Sequence, residues 1–396
     1  EVVFQREAIV ADGPRFSTTL PALIDDVEVG QHLLVNDGAI RTVVTESDPS
    51  GGFIRCRVIQ GGLVTTHKGI NLPDTELSFD AITEKDWRCA EWAVKHRLDF
   101  LALSFVRRAE EVERLKEGVG EWCRAGGMRA LPIIAKIEKP EALDNIYRIL
   151  GVVDAVMIAR GDLGVEMDLA EVPVIQKRLI DLARKYARPT IVATQMLESM
   201  IEHATPTRAE ASDVANAILD CAGCVMLSGE TAVGGHPAEA VDTMRRIAKF
   251  TEPYLLDQLA RFSDGGMCRI KVGHWTDGLA AGARRVVEDV GAKMILCWSQ
   301  SGRAAMYLSE TRFPVPIVAC SDEIETVRRL TLLRGVVPVF RTRPESLEMF
   351  TREMDVFIQM RGWAAKGDPI LLIAGHPIGL GGATDSLAVH YLGGVK

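Results

Sequence analysis

Long apolar runs are missing from this 396-residue sequence. None approaches the ~18–20 consecutive apolar residues that a membrane span requires, and no secretory leader opens the chain. A basic excess is missing too: 46 Lys and Arg stand against 54 Asp and Glu, a formal net charge of −8. Binders of nucleic acid or anionic membranes carry dense Lys/Arg faces or tails. No such block occurs, so neither partner is expected, and an anionic substrate would have to be held by local cations. The eight cysteines (56, 89, 123, 221, 224, 268, 297 and 320) are scattered, which in a long chain fits a reducing cytoplasm. Cys221 and Cys224 form the only CxxC, without the second pair that a zinc ribbon needs. They read as small buried thiols behind a strand, with a redox pair as the alternative. The eight histidines form no HExxH or HxH motif, so no transition-metal site is visible. The first residue is Glu1, not Met.

What is present is ample apolar material, 47% of residues, with 25% charged. That supports a large core and two or three domains. Residues 1–70 carry short runs (Val2–Phe4, His32–Val35, Ala39–Val44, Phe53–Ile59) separated by Gly, Asp and Asn, and read as β structure. Asn36-Asp37-Gly38 lies between two of them as a hairpin turn. From about residue 80 the pattern changes. Periodic segments such as Glu84–His96 and Ala109–Trp122 alternate with apolar runs at 99–105, 131–137, 152–158, 190–193 and 224–227. This is βα repetition with a parallel sheet buried on both faces. Polar clusters follow each run, which marks a (β/α)₈ barrel, but only five of its eight units are found in residues 71–262. Residues 263–396 read as an open α/β domain with strands near 294–298, 315–319, 336–340 and 370–374. The expected fold is therefore α/β: a small β domain (1–70), an incomplete (β/α)₈ barrel (71–262) and a C-terminal open α/β domain (263–396).

Lys136 and Glu138 are two apart on one strand, so they point the same way. Taken alone they are equally a structural ion pair. The next strand ends in Arg160-Gly161-Asp162, and neighbouring strands would bring Asp162 close to Glu138. Two carboxylates at adjacent strand ends suit Mg²⁺ or Mn²⁺, which take few protein ligands and complete their shell with substrate oxygens. Gly161 lets backbone N–H groups approach an anion, or it is a plain tight turn. Thr194 ends a further strand, where its hydroxyl can touch substrate, relay a proton or cap a helix. Ser299-Gln300-Ser301-Gly302-Arg303 follows a strand and opens a helix, a setting for a phosphate or a simple strand–helix turn.

The stretches Ile134-Ala-Lys-Ile-Glu138, Ala159-Arg-Gly-Asp-Leu-Gly-Val-Glu166, Val192-Ala-Thr-Gln-Met-Leu-Glu-Ser-Met200, Pro206-Thr-Arg-Ala-Glu210, Ser212-Asp-Val-Ala-Asn216 and Met226-Leu-Ser-Gly-Glu-Thr-Ala232 stand in the order and spacing of pyruvate kinases. The chain resembles that family over residues 71–250 and, more weakly, over both flanks. The resemblance implies phosphoryl transfer from phosphoenolpyruvate to ADP, giving pyruvate and ATP. It makes Lys136 the lysine that stabilises the transferring phosphoryl group, and Glu138 and Asp162 the Mg²⁺ or Mn²⁺ ligands. Gly161 and Asp162 backbone groups would face the substrate carboxylate, and the Thr194 hydroxyl would stand near the enolate carbon. The β region resembles the family's lid, with Asp37 and Lys68 on its nucleotide side. Ser299, Ser301, Gly302 and Arg303 resemble a loop that holds an effector phosphate, for which a phosphorylated sugar is the expected ligand. A cytoplasmic homotetramer is the family's usual state.

The chain also departs from the pattern. Asp74 replaces a usual Gly, Phe313 a usual Pro and Asp385 a usual Asn. The family's first three barrel strands precede its lid and bring a catalytic arginine and most of the K⁺ ligands. The sequence begins inside the lid, so the expectation is an inactive fragment of a pyruvate kinase. The rival from another class is a non-catalytic effector-binding or scaffold protein built on that fold. A metal-dependent aldolase would share the carboxylates but not the lid.

Overall fold

The computed structural model describes residues 1–396 apart from 12, 19, 37, 66–67, 76–79, 262–274, 376–377, 379–383 and 395–396. Within them, strands form three sheets. The first holds β1 (Val2–Gln5), β2 (Arg15–Ser17), β3 (His32–Val35), β4 (Ile40–Asp48), β5 (Phe53–Gln60) and β6 (Ile70–Asn71), in the order β2-β1-β5-β4-β3-β6. All its pairs are antiparallel except β1–β2. In β4, Ile40, Thr42 and Val44 are buried while Arg41 and Thr45 are exposed, the period of two that puts alternate side chains on one face. Those side chains close over Leu23, Ile24, Leu33 and Ile54. The β3–β4 turn holds Asn36 at φ 56° and Gly38 at φ 79°, as the sequence leads one to expect. A Cβ on Gly38 would lie 3.3 Å from the Val165 side chain, so this turn packs down onto the second sheet's helices.

That second sheet holds β7 (Leu101–Leu103), β8 (Ile133–Ile137), β9 (Ala155–Ala159), β10 (Thr190–Ala193) and β11 (Cys224–Val225), all parallel, in the order β11-β10-β9-β8-β7. Every residue of β9 is buried. Ile133, Ala135, Ile137, Val156 and Ile158 pack into the helix layer, whereas Ile134, Met157 and Ile191 form a smaller cluster on the opposite face. Alternation therefore sends Lys136 and Glu138 away from the helices. Capping boxes start two of those helices: Thr83 with Asp86 begins Glu84–Lys95, and Thr207 with Glu210 begins Arg208–Leu219. They satisfy N–H groups that the first turn leaves unpaired.

The third sheet holds β12 (Ile295–Trp298), β13 (Ile317–Ser321), β14 (Val336–Phe340), β15 (Pro369–Ala374) and β16 (Ser386–Tyr391), in the order β14-β13-β12-β15-β16. Only β16 is antiparallel, and a separate apolar cluster covers each face. Along the seam with the second sheet, Arg129 donates to the Gln300 carbonyl (3.3 Å) and Thr326 Oγ1 (3.0 Å) and pairs with Glu323. Arg328 pairs with Asp99 at 2.8 Å. The Cys224 thiol donates to the Leu332 carbonyl. The short strands β2 and β6 and the six-residue edge strand β16 lie outside the runs read from the sequence. They are brief or half-exposed pieces completing sheets whose more buried strands the sequence does reveal.

Candidate active site

The ends of β7, β8, β9 and β10 carry the polar residues. Glu138, just beyond β8, is 1% exposed. Its Oε2 accepts the Phe105 N–H at 2.6 Å. To present that N–H, Phe105 takes φ 53°, an unusual conformation for a side-chain-bearing residue. Its Oε1 lies 2.5 Å from Lys136 Nζ but accepts no well-oriented hydrogen bond. Lys136 Nζ also donates to Ser104 Oγ at 3.0 Å. A half-buried ammonium and a buried carboxylate are thus brought together, as a buried charge requires, being costly unless paired and hydrogen-bonded.

Asp162 lies in the first turn of the helix Arg160–Glu166, directly after β9 and half-buried. Register pairs β8 with β9 from Ile134–Ala155 to Ile137–Ile158, so Glu138 and the Arg160–Asp162 turn leave neighbouring strands at the same end. The donor set suits a hard divalent cation: two carboxylates, one with an oxygen lacking an oriented donor. Among the described residues no three His, Cys, Asp or Glu gather into a metal-holding group. An ion here would complete its shell with water and substrate oxygens, as Mg²⁺ commonly does.

The Gly161 N–H donates to Thr194 Oγ1 at 2.7 Å. The approach is close because residue 161 lacks a Cβ, which would sit 3.2 Å from that oxygen. Thr194 Oγ1 in turn donates to the Ala193 carbonyl at 2.6 Å. Thr194 (φ 69°) and Gln195 (φ 53°) are both left-handed; for a β-branched residue this is a genuine outlier, and strain of this kind costs on the order of 1–3 kcal/mol per residue. Arg160 and Glu230 hold the turn. Arg160, 9% exposed, donates to the Thr194 carbonyl at 3.0 Å and the Gln195 carbonyl at 3.3 Å and pairs with Asp213 at 2.7 Å. Glu230, also buried, accepts the N–H groups of Leu197 and Ser228.

Sequence reading did not single out Ser104, Phe105, Arg160 or Glu230 as site residues. Each belongs to a polar cluster that follows a strand, and that position was the available signal.

Lys68 is exposed and lines a cavity of about 970 Å³ together with Asn71, Ser104, Phe105, Arg107 and Lys139. Asp37 lies outside the described residues. Glu166 Oε1 accepts from Lys139 at 2.6 Å and from Asn71 at 2.9 Å, which fastens β6 to the helix that carries Asp162. The 299–303 loop lies away from this group, between β12 and the helix Arg303–Glu310. Ser301 and Arg303 are exposed and Gly302 caps the helix at φ 82°. The Ser299 hydroxyl differs from Ser301 and Arg303 in exposure. It is buried and accepts the Ala305 N–H, and the Gly302 N–H donates to the Ser299 carbonyl. Cys221 and Cys224 are free thiols; burial raises both, Cys224 to about 11, so they stay protonated at neutral pH.

Comparison with known proteins matches residues 6–241 to the family described as pyruvate kinase, barrel domain, and residues 277–390 to pyruvate kinase, alpha/beta domain. A pyruvate kinase of Mycobacterium intracellulare is 41% identical over 96% of this chain and 77% of its own length. One from Corynebacterium glutamicum is 39% identical over the same shares. The crystal structure of a pyruvate kinase from Cryptosporidium parvum superimposes with a TM-score of 0.86 at 30% identity, covering 99% of this chain and 78% of the other.

Proposed function

Because the chain belongs to the pyruvate kinase family, we propose that its site transfers the phosphoryl group of phosphoenolpyruvate to ADP, yielding pyruvate and ATP. The observation that carries this reading is the Lys136–Glu138 pair at the end of β8, fixed by Ser104 and the Phe105 N–H, beside the Gly161–Asp162 turn. Phosphoryl transfer needs positioning and charge neutralisation more than covalent chemistry. Lys136 supplies a fixed cation for the transferring group. Glu138 and Asp162 are the residues to hold Mg²⁺ or Mn²⁺, and such an ion, when bound, neutralises phosphate and carboxylate charge. K⁺ is a family expectation to which no residue here is assigned. Thr194 stands to relay a proton to the enolate left after transfer. Asp37 and Lys68 are proposed for the nucleotide side of the cavity. Ser301, Gly302 and Arg303, with Ser299 as their internal brace, are proposed for a phosphorylated-sugar effector. The three sheets support a division at 1–70, 71–262 and 263–396, with β6 (Ile70–Asn71) carrying the first sheet one residue past the first boundary. A cytoplasmic homotetramer completes the proposal.

The described second sheet has five strands and two edges, β7 and β11, and a site walled on part of its circumference admits water. The 396 residues alone are therefore expected to turn over slowly. The decisive test uses the protein as its gene encodes it. ATP formation should depend on phosphoenolpyruvate and a divalent cation. Lys136→Met should lower kcat by roughly 10²–10³, the scale of losing one transition-state donor, with Mn²⁺ binding retained. No phosphoenolpyruvate-dependent ATP formation, or a variant with undiminished kcat, refutes the reading; the former would favour a non-catalytic binding protein.

A further inference from the structure

We propose that Arg160 is the positioning residue for the protonation half of this reaction, holding the Thr194–Gln195 turn in its left-handed form so that the Thr194 hydroxyl stands at a fixed point. The inference rests on the function proposed above.

Two consecutive non-glycine residues with positive φ persist only where the surroundings over-determine them. Here Glu230 holds the turn's far side through the Leu197 N–H, and one guanidinium holds the two left-handed residues themselves. Its Nη2 reaches the Thr194 and Gln195 carbonyls and the Met196 sulfur at 2.8 Å. Its Nη1 reaches Asp213 at 2.8 Å. Three consecutive residues of the turn therefore touch one buried cation, whose charge Asp213 balances from the helix Arg208–Leu219. The planar fork matters, because a lysine ammonium is a point charge on a flexible stem and cannot serve both sides together. With both carbonyls drawn to Arg160, the Thr194 side chain is left on the opposite side, against the Gly161 N–H.

Arg160 is adjacent to Gly161 but acts through Thr194. It is not placed against the Lys136–Glu138 pair, whose own contacts are Ser104 and Phe105. The two halves of the reaction thus draw on separate supports. In the protonation half, the enolate's C2 oxygen regains its carbonyl bond as C3 takes a proton from the hydroxyl. The hydroxyl is re-protonated by water, which leaves as hydroxide.

The test separates those halves in the protein as its gene encodes it. Protonation is read as exchange of pyruvate methyl hydrogens with D₂O, followed by NMR with Mg²⁺ and ATP present. Phosphoryl transfer is read as single-turnover ATP formation. Arg160→Gln should slow exchange by about 10²-fold, the usual worth of a placed acid–base group, with single-turnover ATP formation and the KM for phosphoenolpyruvate little changed. Arg160→Lys should recover part of the loss. Asp213→Asn keeps Arg160 but removes the carboxylate that holds its guanidinium in place; it should also slow exchange selectively, and it stands in if Arg160→Gln does not fold. Folded variants with unchanged exchange overturn the inference, as does an equal fall in both steps together with Mn²⁺ binding. Wild-type protein silent in both assays removes the function and this inference together; wild-type protein active in both, with unaffected variants, removes the inference alone.

Discussion

At the scale of single residues the site depends on atoms that are missing as much as on those present. A methyl group at position 161 would stand 3.2 Å from Thr194 Oγ1, tighter than ordinary van der Waals contact. Gly161→Ala should therefore move the hydroxyl by a few tenths of an ångström, lowering kcat about tenfold or more while thermal stability barely changes. Misplacements of this kind act through alignment of the reacting groups. Steady-state kinetics beside a thermal melt checks it; full activity would show that the Gly161–Thr194 contact is incidental. The residues legible in the sequence here are those whose chemistry is local. Lys136 and Glu138 announce themselves by standing two apart on an apolar strand. Arg160 does not, since its partners Thr194, Gln195 and Asp213 are more than thirty positions away and only folding unites them. Ser299 shows a related limit: a hydroxyl at a strand end reads as available, and only the fold adds that it accepts the Ala305 N–H.

At the scale of elements, the helix Arg208–Leu219 ties its start to the loop beyond β10. Glu210 accepts the Thr207 N–H and hydroxyl and the Ser199 N–H and hydroxyl. Burial alone would raise its carboxyl, but those hydrogen bonds outweigh burial and hold it below the usual range. A carboxylate depressed in the folded state contributes stability that is present above its unfolded value, near 4.3, and is lost as pH falls through the folded value. Wild-type protein should thus lose more melting temperature between about pH 5 and 3 than Glu210→Gln does. Equal slopes in the two melting series would mean that the box does not carry this acid sensitivity. Such boxes are short-range patterns, and the longer strands are equally local: β3 and β14 match their apolar runs residue for residue. Strand β11 is shorter than its apolar run, 224–225 against 224–227, because the chain turns early into the Ser228–Glu230 loop that Glu230 gathers. Strand β16 carries only a three-residue apolar run, Leu387–Val389, and all its residues are exposed or half-exposed at a sheet edge.

At the scale of the whole molecule, the seam between the second and third sheets bears on how the protein loses function on heating. Arg328 grips Asp99, two residues before β7, and the residue that donates to Glu138 comes two residues after it. Strand β7 is three residues long and, among the described residues, is paired only through β8. The Arg328–Asp99 pair is partly exposed, the class of contact worth about 0–1 kcal/mol. Warming should therefore release this end of the sheet before the buried centre at β9 melts, and Glu138 should lose its Phe105 N–H when it does. In the protein as its gene encodes it, heat inactivation should precede the loss of helical circular dichroism by several degrees, and Arg328→Ala should widen that interval. Coincident curves in both proteins would refute it. The anchor at Asp99 then acts as a thermal fuse: a partly exposed joint lies in series with Glu138, so this end of the sheet gives way before the core does.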